Sequence, residues 1–188
     1  MPILAEPLTI ADVLKAQGLT GAENPQALCL AWATRHAENF PVLSWAVPRA
    51  RRPALAAVYA FCRAVDDLGD EASGDRMALL DAWEADLLRI WQGSPRHPIL
   101  RALAPVVQDL AIPPDPFRRM DQVRSRYATF EDLREYCRHS ADPVGRLVLH
   151  VHGHSDPERQ RLSDATCTAL QLANFWQDVA RDLADRGR

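Results

Sequence analysis

The chain has almost no lysine. Lys15 stands alone among 22 basic residues in 188, so positive charge is carried almost wholly by arginine. That bias fits a GC-rich genome as readily as phosphate recognition. The net charge of -3 supplies no electrostatic reason to expect nucleic acid as a partner. No apolar run approaches the length of a spanning helix, and the N-terminus lacks a basic region followed by an apolar one. The four cysteines, Cys29, Cys62, Cys137 and Cys167, form no C-x-x-C pair. Each lies in a helical apolar context, which favours a reducing compartment and argues against a zinc centre. Period-2 alternation, internal repeats and low-complexity segments are also missing, and no dinucleotide fingerprint is visible. What remains is 47% hydrophobic and 25% charged, the composition of an ordinary globular protein. The expectation is a cytoplasmic all-α chain of about eight helices, with a transient contact to the inner-membrane surface left open.

Taken in order, residues 1–24 read as a mobile lead-in in which Thr9 caps a short helix ended by Gly18. Residues 25–188 read as a single domain. Pro25 suits the first turn of a helix to about Glu38 with Leu28 and Trp32 inward, stopped by Pro41. His36, Glu38 and Asn39 read mainly as caps at that end. A long helix from Pro53 to Asp70 follows, then one amphipathic helix over 75–92 with Trp83 and Trp91 in the core. Further helices span about 98–110 and 115–127, separated by Pro113-Pro114. Thr129 with Asp132 forms a cap for the helix TFEDLREYCRHS, and Pro143 and Gly145 should kink or interrupt it. His150, His152 and His154 read as helix-end histidines, since only His150 and His154 share a face. The last helix begins near Pro157.

Two stretches carry candidate chemistry. In YAFCRAVDDLGDE (59–71), Tyr59, Arg63, Asp66 and Asp70 recur at helical steps of four, three and four. Asp66 and Asp70, one turn apart, repel by a few tenths of a kcal/mol in an isolated helix, a cost that a cation removes. Paired carboxylates suit Mg²⁺, which is held by one or two of them together with waters and substrate phosphates. Arg63 suits a phosphate oxygen. A solvated acidic helix end is the competing reading of this motif alone. In QLANFWQDVARD (171–182), Gln171, Asn174, Asp178 and Asp182 form a second stripe. Two helices with an Asp-x-x-x-Asp stripe each can face one another and hold a diphosphate through bridging Mg²⁺.

With YCRHSADPVG (136–145) added, the chain resembles the squalene/phytoene synthase family of head-to-head prenyl synthases over roughly residues 25–188. HAENFPV (36–42), ADPVGR (141–146) and NFWQDV (174–179) look most like the bacterial hydroxysqualene synthases of hopanoid-linked squalene synthesis. The resemblance implies an isoprenoid synthase-type helical bundle, here without the C-terminal helices with which family members continue. Apolar surface should be exposed as a result. It also implies Mg²⁺ on Asp66, Asp70, Asp178 and Asp182, with diphosphate contacts from Arg63, Gln171 and Asn174. Tyr59 and Tyr136 would line the site, and the Asp142–Gly145 break would shape the cavity. The implied reaction converts presqualene diphosphate to hydroxysqualene without NAD(P)H; His36 or Tyr136 is the candidate for positioning the water. The alternatives are a presqualene diphosphate or phytoene synthase acting on prenyl diphosphates, and a non-catalytic scaffold relative.

Overall fold

The computed structural model describes residues 8–35, 47–118 and 127–185, with side chains left undescribed at Arg35, Arg118 and from 180 onward. The described residues contain ten α-helices, one 3-10 turn and no strand. They form two compact units, 1–113 and 114–188. None of their helices is long and apolar enough to cross a membrane.

The first unit is organised on α3 (Arg52–Asp70), against which α2 (Pro25–Arg35), α4 (Arg76–Leu87) and α6 (Pro98–Asp109) pack. Pro53 lies in the first turn of α3, where its missing N–H is no loss. Leu55, Val58, Phe61, Val65 and Leu68 are buried, and Ala56, Ala57, Ala60 and Ala64 keep the contact surface thin enough for close packing. The Arg76 guanidinium closes the helix by donating to Ala72 O at 2.9 Å and Gly69 O at 3.3 Å. The Gly69 carbonyl is one that the helix end otherwise leaves unpaired, and Ala72 lies just beyond that end.

Several expectations change here. Within the supposed lead-in, α1 (Ile10–Ala16) packs on α4 with Val13 buried. Gln17 ties its end down, donating to Ala64 O at 3.2 Å and meeting His97 Nε2 at 2.9 Å. In α2, Cys29 and Ala33 are the buried residues, while Leu28 and Trp32 are half-buried. The expected helix over 75–92 divides at Leu88 into α4 and α5 (Arg89–Gln92), because the Trp91 N–H bonds to Leu88 O in a tighter turn. Buried Asp86 accepts from the Arg96 and His97 backbone N–H groups, 2.8–3.0 Å away, and so pins the loop that follows. Trp83 is core, whereas Trp91 is 37% exposed and donates from Nε1 to Ile112 O. The histidine run 150–154 ends a helix as expected, at Gly153 with φ +79°.

In the second unit, α7 (Asp115–Arg118) and α8 (Phe130–Ser140) precede α9 (Asp142–Val151) and α10 (Pro157–Asp185); α10 packs on both α8 and α9. The helix expected over 115–127 is described only as far as Arg118. Leu162, Leu170, Trp176 and Val179 of α10 are exposed, so apolar surface lies open on this helix as anticipated.

Candidate active site

On α3, Tyr59, Arg63, Asp66 and Asp70 lie in the order their spacing predicts. Tyr59 and Arg63 are half-buried, and Asp66 and Asp70 are exposed. The structure adds two acids to this stripe. Arg63 Nη2 sits 2.6 Å from Asp67 Oδ1 and 3.2 Å from Glu71 Oε1. Both acids stand in the same motif, and Asp67 is four residues from Arg63, a spacing the sequence displayed. The Arg63 Nε–H is buried and finds no hydrogen-bond acceptor among the described residues. A buried guanidinium N–H without an acceptor is costly and suits an anion brought in from outside.

Water reaches the Asp66 carboxyl, yet the surrounding protein partly desolvates it. That desolvation, with Asp70 and Asp67 nearby, pushes its pKa up to about 7 against the pull of Arg63. The Tyr59 hydroxyl is also raised, chiefly by burial and further by Asp66 and Asp67, while Arg63 opposes the shift.

The fit to Mg²⁺ can be judged from these groups. Among the described residues no three His, Cys, Asp or Glu side chains gather into a cage. Asp66 and Asp70 offer two hard oxygen donors one turn apart, beside a guanidinium with a spare N–H. That set suits an ion shared between carboxylates and a phosphate ligand. A cation there would also relieve the strain that keeps Asp66 hard to ionise.

The second unit carries the other predicted residues. Gln171 and Asp178 are half-buried on α10, and Asn174 is exposed. Asp182 lies on the described backbone of the same helix, one turn beyond Asp178. Tyr136 of α8 joins Tyr127 and Phe175 in a cluster of edge-to-face rings, with centroids 5.4–5.9 Å apart. This cluster locks α8 to α10 beside Asn174. Phe175 was legible as an apolar position, but its ring partners were not. The cap on α8 forms as read: the Thr129 N–H and hydroxyl donate to Asp132 Oδ2, and the Asp132 N–H returns to Thr129 Oγ1.

The Asp142–Gly145 interruption is gentler than expected. α8 ends at Ser140 and α9 starts at Asp142, yet the Ala141 N–H still bonds to Cys137 O at 2.9 Å. Pro143 falls in the first turn of α9, where no N–H is needed. Gly145 is required by proximity: a Cβ there would overlap Ser163 Oγ and Cys167 Sγ of α10. Buried Asp142 accepts from the Thr168 hydroxyl at 2.9 Å. Its pKa is raised mainly by burial and then by Asp164, with the Thr168 bond, Arg146 and Arg138 pulling the other way. His36, Glu38 and Asn39 lie outside the described residues.

Comparison with known proteins identifies the family of the chain. The squalene/phytoene synthase family model matches residues 33–188. A hydroxysqualene synthase of Rhodopseudomonas palustris is 39% identical over 159 residues, covering 79% of this chain and 53% of that protein. A 15-cis-phytoene synthase of Synechococcus elongatus is 35% identical over 182 residues, covering 85% and 58%. The crystal structure of squalene synthase HpnC from Alicyclobacillus acidocaldarius is 54% identical with a TM-score of 0.79, covering 85% of this chain and 63% of that one. The chain thus spans about half the length of the curated relatives it matches. It belongs to the squalene/phytoene synthase family.

Proposed function

We propose that this chain carries the diphosphate-handling machinery of a Mg²⁺-dependent synthase that converts presqualene diphosphate to hydroxysqualene and releases diphosphate. The observation that carries the reading is on α3. Arg63 keeps a buried N–H without an acceptor, beside a pair of carboxylates of which one is raised toward neutrality. The 39% identity to a hydroxysqualene synthase supports the choice of substrate and product.

In this reading residues 25–188 act as one catalytic domain. Mg²⁺, when bound to Asp66, Asp70, Asp178 and Asp182, supplies positive charge that stabilises the departing diphosphate. Arg63 turns its spare N–H to a diphosphate oxygen, with Gln171 and Asn174 as further polar contacts. The carbon–oxygen bond breaks, the cyclopropylcarbinyl cation rearranges, and one water adds to it and loses a proton. Tyr59 and Tyr136 line the chamber, and the Tyr127–Tyr136–Phe175 rings offer apolar π-faces that tolerate a cation. The water supplies the final bond, so the step consumes no NAD(P)H. A product this apolar favours a transient contact with the membrane surface from the cytoplasmic side.

The second reading, a phytoene synthase joining two prenyl diphosphates, rests on the 35% identity to the Synechococcus enzyme. Product analysis separates them. Presqualene, farnesyl and geranylgeranyl diphosphates would be offered separately with Mg²⁺ and no nicotinamide, and circular dichroism would confirm a helical chain. Hydroxysqualene from presqualene diphosphate alone is the expected result. Phytoene from geranylgeranyl diphosphate would favour the second reading. No product from a folded chain would refute the claim that these residues suffice, as a scaffold relative would require.

A further inference from the structure

Beyond the two aspartate stripes, the second unit holds a cavity of ≈ 500 Å³ between α8, α9 and α10. Four arginines reach its wall, Arg134 and Arg138 from α8, Arg146 from α9 and Arg161 from α10, against only two carboxylates, Asp142 and Asp164. In a chain of net charge -3 this is a local excess of positive charge.

The pairing within the cavity leaves that excess standing. Arg146 and Asp164 satisfy one another through two parallel bonds, Nε to Oδ1 at 2.9 Å and Nη2 to Oδ2 at 2.6 Å. Asp142 is buried and bonded by Thr168. Arg134 and Arg138 each use Nη1 on Glu131 or Glu135, which do not line the cavity. These are half-exposed pairs of the kind that contribute little, and a guanidinium has five N–H donors to spend. Arg161 has no hydrogen-bond or ion-pair partner among the described residues, although Asp164 lies on the same helix and the same wall. A purely structural ion-pair network would have used it.

We propose that this cavity is a second anion site, separate from the aspartate stripes, which takes a phosphate-class anion on Arg161, Arg134 and Arg138, with the Arg146–Asp164 pair as its rigid floor. The volume accommodates a diphosphate or a phospholipid headgroup, and no metal ion is needed to hold either.

Binding of inorganic diphosphate to the whole chain, measured by calorimetry in the presence of a chelator, tests the idea. The chelator removes metal-dependent binding on the aspartates, and Arg63→Ala serves as a control for diphosphate held on α3. Sedimentation with phosphatidylglycerol vesicles, against phosphatidylcholine vesicles, tests the lipid source. The test variant is Arg134→Ala/Arg161→Ala; Arg161 is exposed and Arg134 half-exposed, so the change removes only the Arg134–Glu131 surface pair. The expected result is a loss of about tenfold or more in affinity for one probe, since each lost charge-assisted bond costs enough for such a change. Arg63→Ala should leave that binding in place. Loss confined to diphosphate identifies a soluble ligand; loss confined to anionic vesicles identifies a headgroup. Wild-type affinity for both probes in the double variant, or no binding of either probe to the wild type, would overturn the proposal.

Discussion

Arg63 holds Asp67 across one turn of α3, Nη2 to Oδ1 at 2.6 Å, while its own Nε–H stays buried without an acceptor. The pair aims the guanidinium and leaves part of its hydrogen-bonding capacity unspent. Arg63→Ala should therefore lower kcat/KM by about ten- to a hundredfold, the effect of one or two lost charge-assisted bonds. Arg63→Lys should recover only part of this, because an ammonium keeps the charge but loses the fork. Steady-state kinetics with circular dichroism as a fold control measures both. Full recovery by lysine would mean that Arg63 acts as a point charge and not through its free N–H.

Asp66 yields a prediction about stability as well as binding. Its folded pKa of about 7 is raised above the ordinary carboxylate value of 3.8. Between those values the folded state binds the extra proton, so the group's contribution is present at low pH and is lost as pH rises through the folded pKa. Asp66→Asn should then raise the melting temperature of the ligand-free chain, and more so above pH 7 than below pH 5. The same variant should lose the stabilisation that Mg²⁺ with inorganic diphosphate gives the wild type. Thermal melts in the four conditions decide. An Asn variant that responds to Mg²⁺ and diphosphate like wild type would remove Asp66 from the ligand set.

Acid sensitivity should come from His97. It is fully buried, accepts the Ile99 N–H on Nδ1 at 3.2 Å and meets Gln17 on Nε2. Burial lowers its pKa from 6.5 to about 4, with Glu23 opposing. The unfolded chain therefore binds the proton first, and stability falls as pH drops from 6.5 toward 4. At about 1.4 kcal/mol per pKa unit the loss is of the order of 3 kcal/mol. Urea unfolding across that range measures it. His97→Gln should start less stable but show a flatter profile, and an unchanged slope would assign the acid response to other groups.

What the sequence revealed and what it hid divide along the range of the interactions involved. The α3 stripe and the caps at Thr9 and Thr129 are local, set by spacings of three and four residues, and all were readable. The split at Leu88 was not, because apolar positions keep helical period through it while Asp86 reaches forward ten and eleven residues to Arg96 and His97. The choice of Asp67 over Asp66 as the partner of Arg63 was hidden for another reason. Residues three and four away are both within reach of a long side chain, and packing selects between them. The arginine cavity also escaped the linear reading, since Arg134, Arg146 and Arg161 meet only when three helices are assembled.

Gly145 belongs to that hidden class and gives the sharpest packing test. Alanine is the better helix former, by up to about 1 kcal/mol, so propensity alone predicts that Gly145→Ala stabilises α9. The geometry predicts the reverse, because the added Cβ meets Ser163 Oγ and Cys167 Sγ across the α9–α10 contact. Overpacking of this kind costs about 1–3 kcal/mol and outweighs the propensity gain. Pushing α10 away would also disturb the Asp142–Thr168 and Arg146–Asp164 bonds, which cross the same contact. Chemical unfolding of Gly145→Ala should therefore show a net loss. In a Ser163→Ala/Cys167→Ala background the same substitution should cost less or become stabilising, since the obstructing atoms are gone. That sign change is a coupling which a double-mutant cycle reads directly. Equal costs in both backgrounds would show that α9 and α10 are not held at the distance that makes glycine necessary.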